Sequence, residues 1–430
     1  MEEPGREQRR LLRAWAPLEA AWLLMAVEGP FISAVIARLV DPTFNLAAFG
    51  VAFPFAMLFE SPIILIMSAS TALVADRDAY AKLQRFTWGL NGLITLAMAV
   101  FVLPPVFGWV ARDLMGLPDA VASLANTSCA LLLPWPAAIG YRRFYQGILI
   151  RSGLTRRVAY GTAIRLGSMS GTALLLAAFT DWPGAKVGAG ALAVGVVLEA
   201  AASRFWARGC VQELKGREPE GQRLTYRSIA TFYLPLAMTS MLNLGVNPLV
   251  SFFLGRSFMA LESLAVVPVV NSFIFIFNTA GLTLQEVAIP VLGKGGRGRA
   301  AVRRFALSTA LVVSGILLLV AFTPLSGLWF RQVAGLAPNL AAFAALPVAL
   351  LFVMPALTVL ASYQRACLVA ARTTRPITWA MAVEVGCITL GLLVFTRYCG
   401  WVGATCAAGA LVAGRAASCL FLLSQAKAQA

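Results

Sequence analysis

The chain has 430 residues, 59% of them hydrophobic and 13% charged, with a formal net charge of +16. A soluble domain carries about 25% charged residues, and the mean hydropathy here is +0.78, so a polytopic membrane protein is expected rather than a soluble one. Histidine is absent, which excludes imidazole metal ligands, His-based catalytic triads and a histidine proton relay.

The excess of arginine clusters between apolar runs, which reads as a topology signal rather than as a nucleic-acid surface. The seven cysteines form no CxxC pair and mostly fall within apolar runs, against a disulfide framework or a zinc site. The acidic start, Met1-Glu2-Glu3, precedes a long apolar run containing Glu19 and Glu28, so no cleavable signal peptide is expected.

A bilayer core of about 30 Å takes about 20 apolar residues to cross as a helix. Twelve runs qualify, at about 15–39, 46–75, 86–111, 120–141, 158–180, 185–206, 228–255, 261–291, 303–325, 338–362, 375–396 and 400–424. The expected organisation is an N-terminus over 1–14, a six-helix lobe over 15–207, a linker over 208–227, a second six-helix lobe over 228–424 and a tail over 425–430. With the termini and the even-to-odd links on one side, that side holds 28 of the 35 Lys and Arg. The positive-inside rule then places both termini in the cytoplasm, and the expected location is a bacterial inner membrane. The glycine-rich 293–298 stretch lacks the GxxxxGK[ST] order of a P-loop, so it reads as a basic link.

The chain repeats itself at offsets of 214–219. Pro17-Leu18 matches Pro235-Leu236, Pro30 matches Pro248, and Arg38 matches Arg256. Tyr145-Gln146 matches Tyr363-Gln364, and Val187-Gly188-Ala189 matches Val402-Gly403-Ala404. An even number of helices per half makes this a parallel repeat about an axis along the membrane normal.

The first run holds Glu28-Gly29-Pro30, and the equivalent place in the seventh holds Val246-Asn247-Pro248. A charge at mid-membrane costs about 2.5–3.5 kcal/mol on insertion scales, and proline removes a helical hydrogen bond. Both are tolerated where a helix lines a polar cavity or packs on protein. Gly29, Pro30 and Pro248 are therefore expected helix breaks, with Glu28 and Asn247 facing a solute path.

Two six-helix halves with proline-broken first helices resemble the multidrug and toxic compound extrusion (MATE) transporters and their wider superfamily, which includes polysaccharide and lipid-linked-sugar flippases. Ala48–Phe53, Leu58–Pro62, Gln146–Ile150, Leu284–Pro290 and Val402–Thr405 are similar to the progressive ankylosis family within it. The resemblance implies an all-α fold of twelve transmembrane helices, in two lobes around a central cleft that opens alternately to each side. It also implies export of organic solutes or ions coupled to H⁺ or Na⁺, using acids in the first helices of a lobe. Glu28 matches that position. A second acid found in the fifth helix of some relatives is replaced near Arg165.

Further candidate contacts for solute or ion are Glu60, Arg165, Asn243, Asn271, Asn278 and Glu384. Glu28 and Glu60 both fall near the midplane, about 21 Å along their helices. Arg165 is a candidate partner of Glu28, and Glu384 is its repeat counterpart. Glu199 reads as a local ion pair with Arg204, five residues on. The asparagines either contact solute or bond neighbouring helices. Arg142 and Arg143 attract an anion or serve as topology determinants.

The expected function is a secondary-active exporter of a small organic solute, an anion among the candidates, coupled to H⁺ or Na⁺. A lipid-linked-sugar or phospholipid flippase and a non-transporting scaffold are the alternatives. The expected partners are solute, coupling ion and membrane lipid, not nucleic acid. No cofactor, no metal and no enzymatic activity are expected, and a monomer is.

Overall fold

The computed structural model describes residues 4–218, 224–292, 298–371, 373 and 375–428. The first half contains α1 (Pro4–Ala26), α2 (Glu28–Ala37), α3 (Pro42–Glu60), α4 (Ile66–Leu73) and α5 (Arg77–Val102). It continues through α6 (Pro104–Gly108), a π-helical turn (Trp109–Leu114), α7 (Asp119–Leu131), α8 (Pro134–Arg151), α9 (Thr155–Phe179) and α10 (Gly184–Trp206). A short amphipathic helix, α11 (Arg208–Gly216), buries Cys210, Val211 and Leu214. The second half repeats the order as α12 (Tyr226–Gly255), α13 (Ala260–Leu292), α14 (Arg299–Phe322), α15 (Leu325–Leu328), a second π-helical turn (Trp329–Val333), α16 (Pro338–Leu351), α17 (Met354–Ala370), α18 (Arg375–Tyr398) and α19 (Gly403–Ala428). This is an all-α polytopic membrane fold.

Eleven spans of the described residues are long and apolar enough to cross a membrane. The expected run at 120–141 is not among them. The chain turns at Leu132–Leu133 and resumes in α8 at Pro134, whose missing N–H suits a helix start. Arg142, Arg143 and Arg151 then fall within α8. Its counterpart, Pro338–Ala370, bends at the same place but qualifies as a span. The glycine-rich link over 293–297 and part of the 208–227 linker lie outside the described residues.

The repeat is visible in details that a hydrophobic pattern does not carry. Gly116 and Gly335 take left-handed φ values of 70° and 73° in equivalent turns. Asp41 and Met259 do so at 49° and 53°, just before α3 and α13. The Asn45 amide oxygen accepts from the Ala185 N–H at 2.9 Å, and the Ser263 hydroxyl accepts from the Ala404 N–H at 3.0 Å. Each satisfies an orphan N–H at the start of the last helix of its half.

Contacts divide the chain into two compact units, Leu39–Phe252 and Met1–Arg38 with Phe253–Ala430. The packing units thus differ from the six-helix halves in where the first helix of each half goes. In the discontinuous unit, α1 packs on α13 and α14. The Trp15 indole donates to the Ala280 carbonyl at 3.3 Å and lies edge-on to Phe305 at 6.0 Å. In the 39–252 unit the equivalent tyrosine, Tyr233 on α12, donates to the Pro62 carbonyl at 2.7 Å and meets Phe86 at 5.7 Å.

The last two helices of each half cross at a glycine. A Cβ at Gly195 would lie 3.1 Å from the Arg165 carbonyl, and one at Gly414 would lie 2.9 Å from the Glu384 carbonyl. Both are too close for a larger residue without movement of a helix. Gly414→Val is expected to cost about 1–3 kcal/mol and to lower the melting temperature of the detergent-solubilised protein. Gly386→Ala, on α18 with nothing within 4 Å of its Cβ site, is the matched control and should melt near wild type.

Candidate functional site

The densest buried charge lies in the 39–252 unit. Glu199 on α10 receives Arg142 Nη1 from α8 in a close ion pair. It also accepts from Gln146 Nε2 at 3.1 Å, and Arg165 Nε of α9 stands 3.5 Å away. All four side chains are buried. The expected pairing of Glu199 with Arg204 is not formed. Five residues is about 140° around a helix, so the two project from different faces. Arg204 instead lies over the Tyr145 ring at 5.0 Å.

Glu60, at the end of α3, is buried and accepts from the Trp135 indole of α8. Arg142, Arg143 and Arg165 lie within its electrostatic reach. Arg143 is the least satisfied of the three. Its Nη1 donates to the Met67 thioether at 3.7 Å, a weak acceptor. The Nε atoms of Arg142 and Arg143 are buried with no hydrogen-bond partner among the described residues. Three guanidinium groups thus face two carboxylates.

The discontinuous unit carries the same pair with its polarity reversed. Glu384 of α18 meets Arg415 of α19 at 2.9 Å and Arg365 of α17 at 3.8 Å. Arg165 and Glu199 occupy the corresponding helices α9 and α10. Gln364, the counterpart of Gln146, donates to the Cys419 carbonyl at 3.1 Å.

The first-helix candidates have separate fates. The helix breaks at Val27, and Glu28, half-buried, opens α2. Pro30 leaves the Ala26 carbonyl without its usual N–H four residues on. A Cβ at Gly29 would fall 2.9 Å from that of Ser272, so glycine there also admits α13. The expected break at Pro248 does not occur: α12 runs unbroken from Tyr226 to Gly255 with Pro235 and Pro248 inside it. On α12, Asn243 is exposed and Asn247 half-buried. The Asn278 amide oxygen accepts from the Thr358 hydroxyl at 3.2 Å, a bond between helices. Asn271 borders a small, mostly apolar cavity with Pro347, Leu351, Ala404 and Leu411.

Two buried groups escaped the sequence reading as site residues. One is the Arg142–Glu199 ion pair. The other is Glu19 on α1, which accepts from Thr279 and Thr283 of α13 at 2.7 and 2.6 Å. The spacing of Thr279 and Thr283, four apart on one helix face, was the available signal for the second.

No family model matches the sequence, and no curated protein matches it. Solved structures do. An inward-facing multidrug resistance MATE family transporter of the MOP superfamily aligns with a TM-score of 0.74 at 16% identity, over 95% of this chain and 94% of that one. An outward-facing structure of the same description gives 0.65 at 15% identity, over 98% and 95%. The lipid II flippase MurJ, in an inward closed conformation, gives 0.76 at 13% identity, over 96% and 87%. The chain has the MATE-like fold of these transporters.

Within this MATE-like fold, ion pairs to the buried Glu199 join α10 to α8 and α9, and those from half-buried Arg415 and Arg365 to the buried Glu384 join α19 and α17 to α18. Removing one partner of a buried pair costs about 3–5 kcal/mol. Glu384→Ala and Arg415→Ala are therefore each expected to lower the melting temperature sharply. The exchange Glu384→Arg with Arg415→Glu should recover part of that loss, as a double-mutant cycle in thermal unfolding will read.

Proposed function

We propose that the protein is a secondary-active transporter that exports a small organic anion by alternating access, driven by an H⁺ or Na⁺ gradient. The observation that carries this reading is the surplus of guanidinium over carboxylate around Arg143, whose Nη1 bonds only weakly, to the Met67 thioether. A half-buried arginine whose one hydrogen-bond acceptor among the described residues is a thioether lacks a direct bond to the carboxylate or phosphate oxygens that a guanidinium fork matches best. An anionic solute supplies them. The fold supports the transport mechanism, because its neighbours include inward- and outward-facing transporters. They also support a transporter rather than an enzyme. In this reading Glu28 is kept as a contact for the coupling ion, and both termini face the cytoplasm of a bacterial cell, on the strength of the 28 basic residues assigned to that side.

A second reading is a flippase for a lipid-linked sugar or phospholipid, favoured by the likeness to MurJ at a TM-score of 0.76. Both readings place an anion against the arginines and differ in whether it carries a lipid tail.

Proteoliposomes separate them. With imposed pH or Na⁺ gradients, wild type is expected to drive flux of small fluorescent anions but not of ethidium-type cations. Arg143→Gln should cut the anion flux about tenfold or more, in keeping with loss of one charge-assisted contact worth about 1.5–3 kcal/mol. Equal anion flux in wild type and Arg143→Gln sinks the anion site. Dithionite-accessible flipping of labelled phospholipid, with no soluble-anion flux, replaces the exporter by the flippase.

A further inference from the structure

The exposed side chains of α9 and α10 form two stripes at helical spacing. They are Leu174, Gly167, Ile164 and Tyr160 along α9, and Val194, Val197, Ala201 and Phe205 along α10. Both helices are membrane-length spans, so an outward apolar stripe is the surface offered to lipid tails. Each stripe ends in an aromatic ring and then an arginine, at the arginine-rich end of its span. Arg156 lies one turn from Tyr160 on the same face of α9. Arg208, just past α10, lies over the Phe205 ring at 4.9 Å. Both rings are more than half exposed, Tyr160 at 57% and Phe205 at 59%.

The frame beneath them is fixed. Arg157 Nη1 donates to the Trp206 carbonyl at 2.9 Å, and the Trp206 ring meets the Tyr160 ring edge-on at 6.2 Å. These contacts hold the start of α9 against the end of α10. Arg156 and Arg208 are exposed, and neither has a carboxylate within ion-pair distance among the described residues. The second half of the chain carries half of this arrangement. Arg375 and Trp379 stand on α18 where Arg156 and Tyr160 stand on α9, and both are exposed. Leu423 stands at the counterpart of Arg208. Topology is set by basic residues near span ends and asks for no ring one turn away, so orientation alone does not account for the repeated pair.

We propose that Arg156 and Arg208 bind the headgroup phosphate of an anionic phospholipid in the adjoining leaflet, with its glycerol and upper acyl chains lying on Tyr160, Trp206 and Phe205. A guanidinium fork matches phosphate oxygens, and basic residues at a membrane surface attract anionic lipid. Tyr and Trp rings sit well at headgroup level, where one end is apolar and the other wet. A zwitterionic lipid offers the same phosphate but brings its own cation, so two arginines without carboxylates select the anionic headgroup. A soluble anion has no tail to lie along the two exposed stripes, so the lipid is the better fit. The bound lipid ties α9 to α10 at the membrane surface. It uses exposed side chains, whereas Arg142 and Glu199 are buried, and it does not rest on the exporter reading.

The test uses the purified full-length chain in a non-ionic detergent, titrated with phosphatidylglycerol or with phosphatidylcholine of the same acyl chains. Native mass spectrometry counts the bound lipids and gives the affinity of the tightest step. Wild type is expected to hold phosphatidylglycerol about tenfold or more tightly than phosphatidylcholine, and less tightly as salt rises. Arg156→Gln with Arg208→Gln should weaken the tightest phosphatidylglycerol step about tenfold or more, while Arg156→Lys with Arg208→Lys keeps most of the preference. Arg303→Gln with Arg304→Gln removes two exposed arginines of α14 that no aromatic ring follows one turn on, and should leave the step unchanged. Equal affinity of wild type for the two lipids, an unchanged tightest step in the Arg156→Gln and Arg208→Gln variant, or the same loss in the α14 variant overturns the proposal. Displacement of the lipid by an equal concentration of glycerol phosphate assigns the arginines to a soluble anion and overturns it as well.

Discussion

A charge placed among apolar helices must be met by another charge or by a fixed set of dipoles, and this constraint determines which helices of the chain are tied together. Backbone groups are satisfied within each helix, and lipid offers no hydrophobic drive between helices. Side-chain polar contacts and close packing of small residues are left to decide the pairing. Glu199 joins α10 to α8 and α9, and Glu384 joins α18 to α17 and α19. Glu60 joins α3 to α8 through Trp135, and Glu19 joins α1 to α13. Gly195 and Gly414 allow the backbones close enough for the ion pairs beside them to form.

Much of the architecture was legible in the sequence because apolar runs of membrane length and a repeat at near-constant offset are one-dimensional signals. The repeat reaches further than composition: Gly116 and Gly335 share a left-handed turn, and Asn45 and Ser263 bond the same backbone position of their halves. The membership of α1 and α12 in the packing units was not legible. A helix that is apolar on most sides fits many partners, and the hydrophobic pattern does not choose among them. The choice lies in a few polar atoms, such as the Trp15 and Tyr233 donors and their carbonyl acceptors.

The candidate site divides along the same line. Glu60, Arg165 and Glu384 stand out in sequence because each is a charge in an apolar run, and all three are buried. Their partners were hidden, because Trp135, Glu199 and Arg415 come from other helices. The one pairing inferred from proximity in sequence, Glu199 with Arg204, failed on helical geometry. Proline was a weaker guide than charge. Pro30 accompanies a real break while Pro248 sits inside a continuous helix, since neighbouring side chains and helices can satisfy the carbonyl that a proline frees.

The reversed polarity of the two ion pairs bears on how a duplicated half acquired its present form. Suppose both copies began with arginine on the penultimate helix and glutamate on the last. Changing either residue alone to the opposite charge buries two like charges side by side. Losing one partner of a buried pair already costs about 3–5 kcal/mol, against a total stability of about 5–15 kcal/mol for a typical fold. Direct single-step inversion therefore leads through a chain that barely folds. The passable route runs through uncharged residues at both positions, after which either polarity can be installed. Arg165–Glu199 and Glu384–Arg415 give one example of each polarity within a single chain.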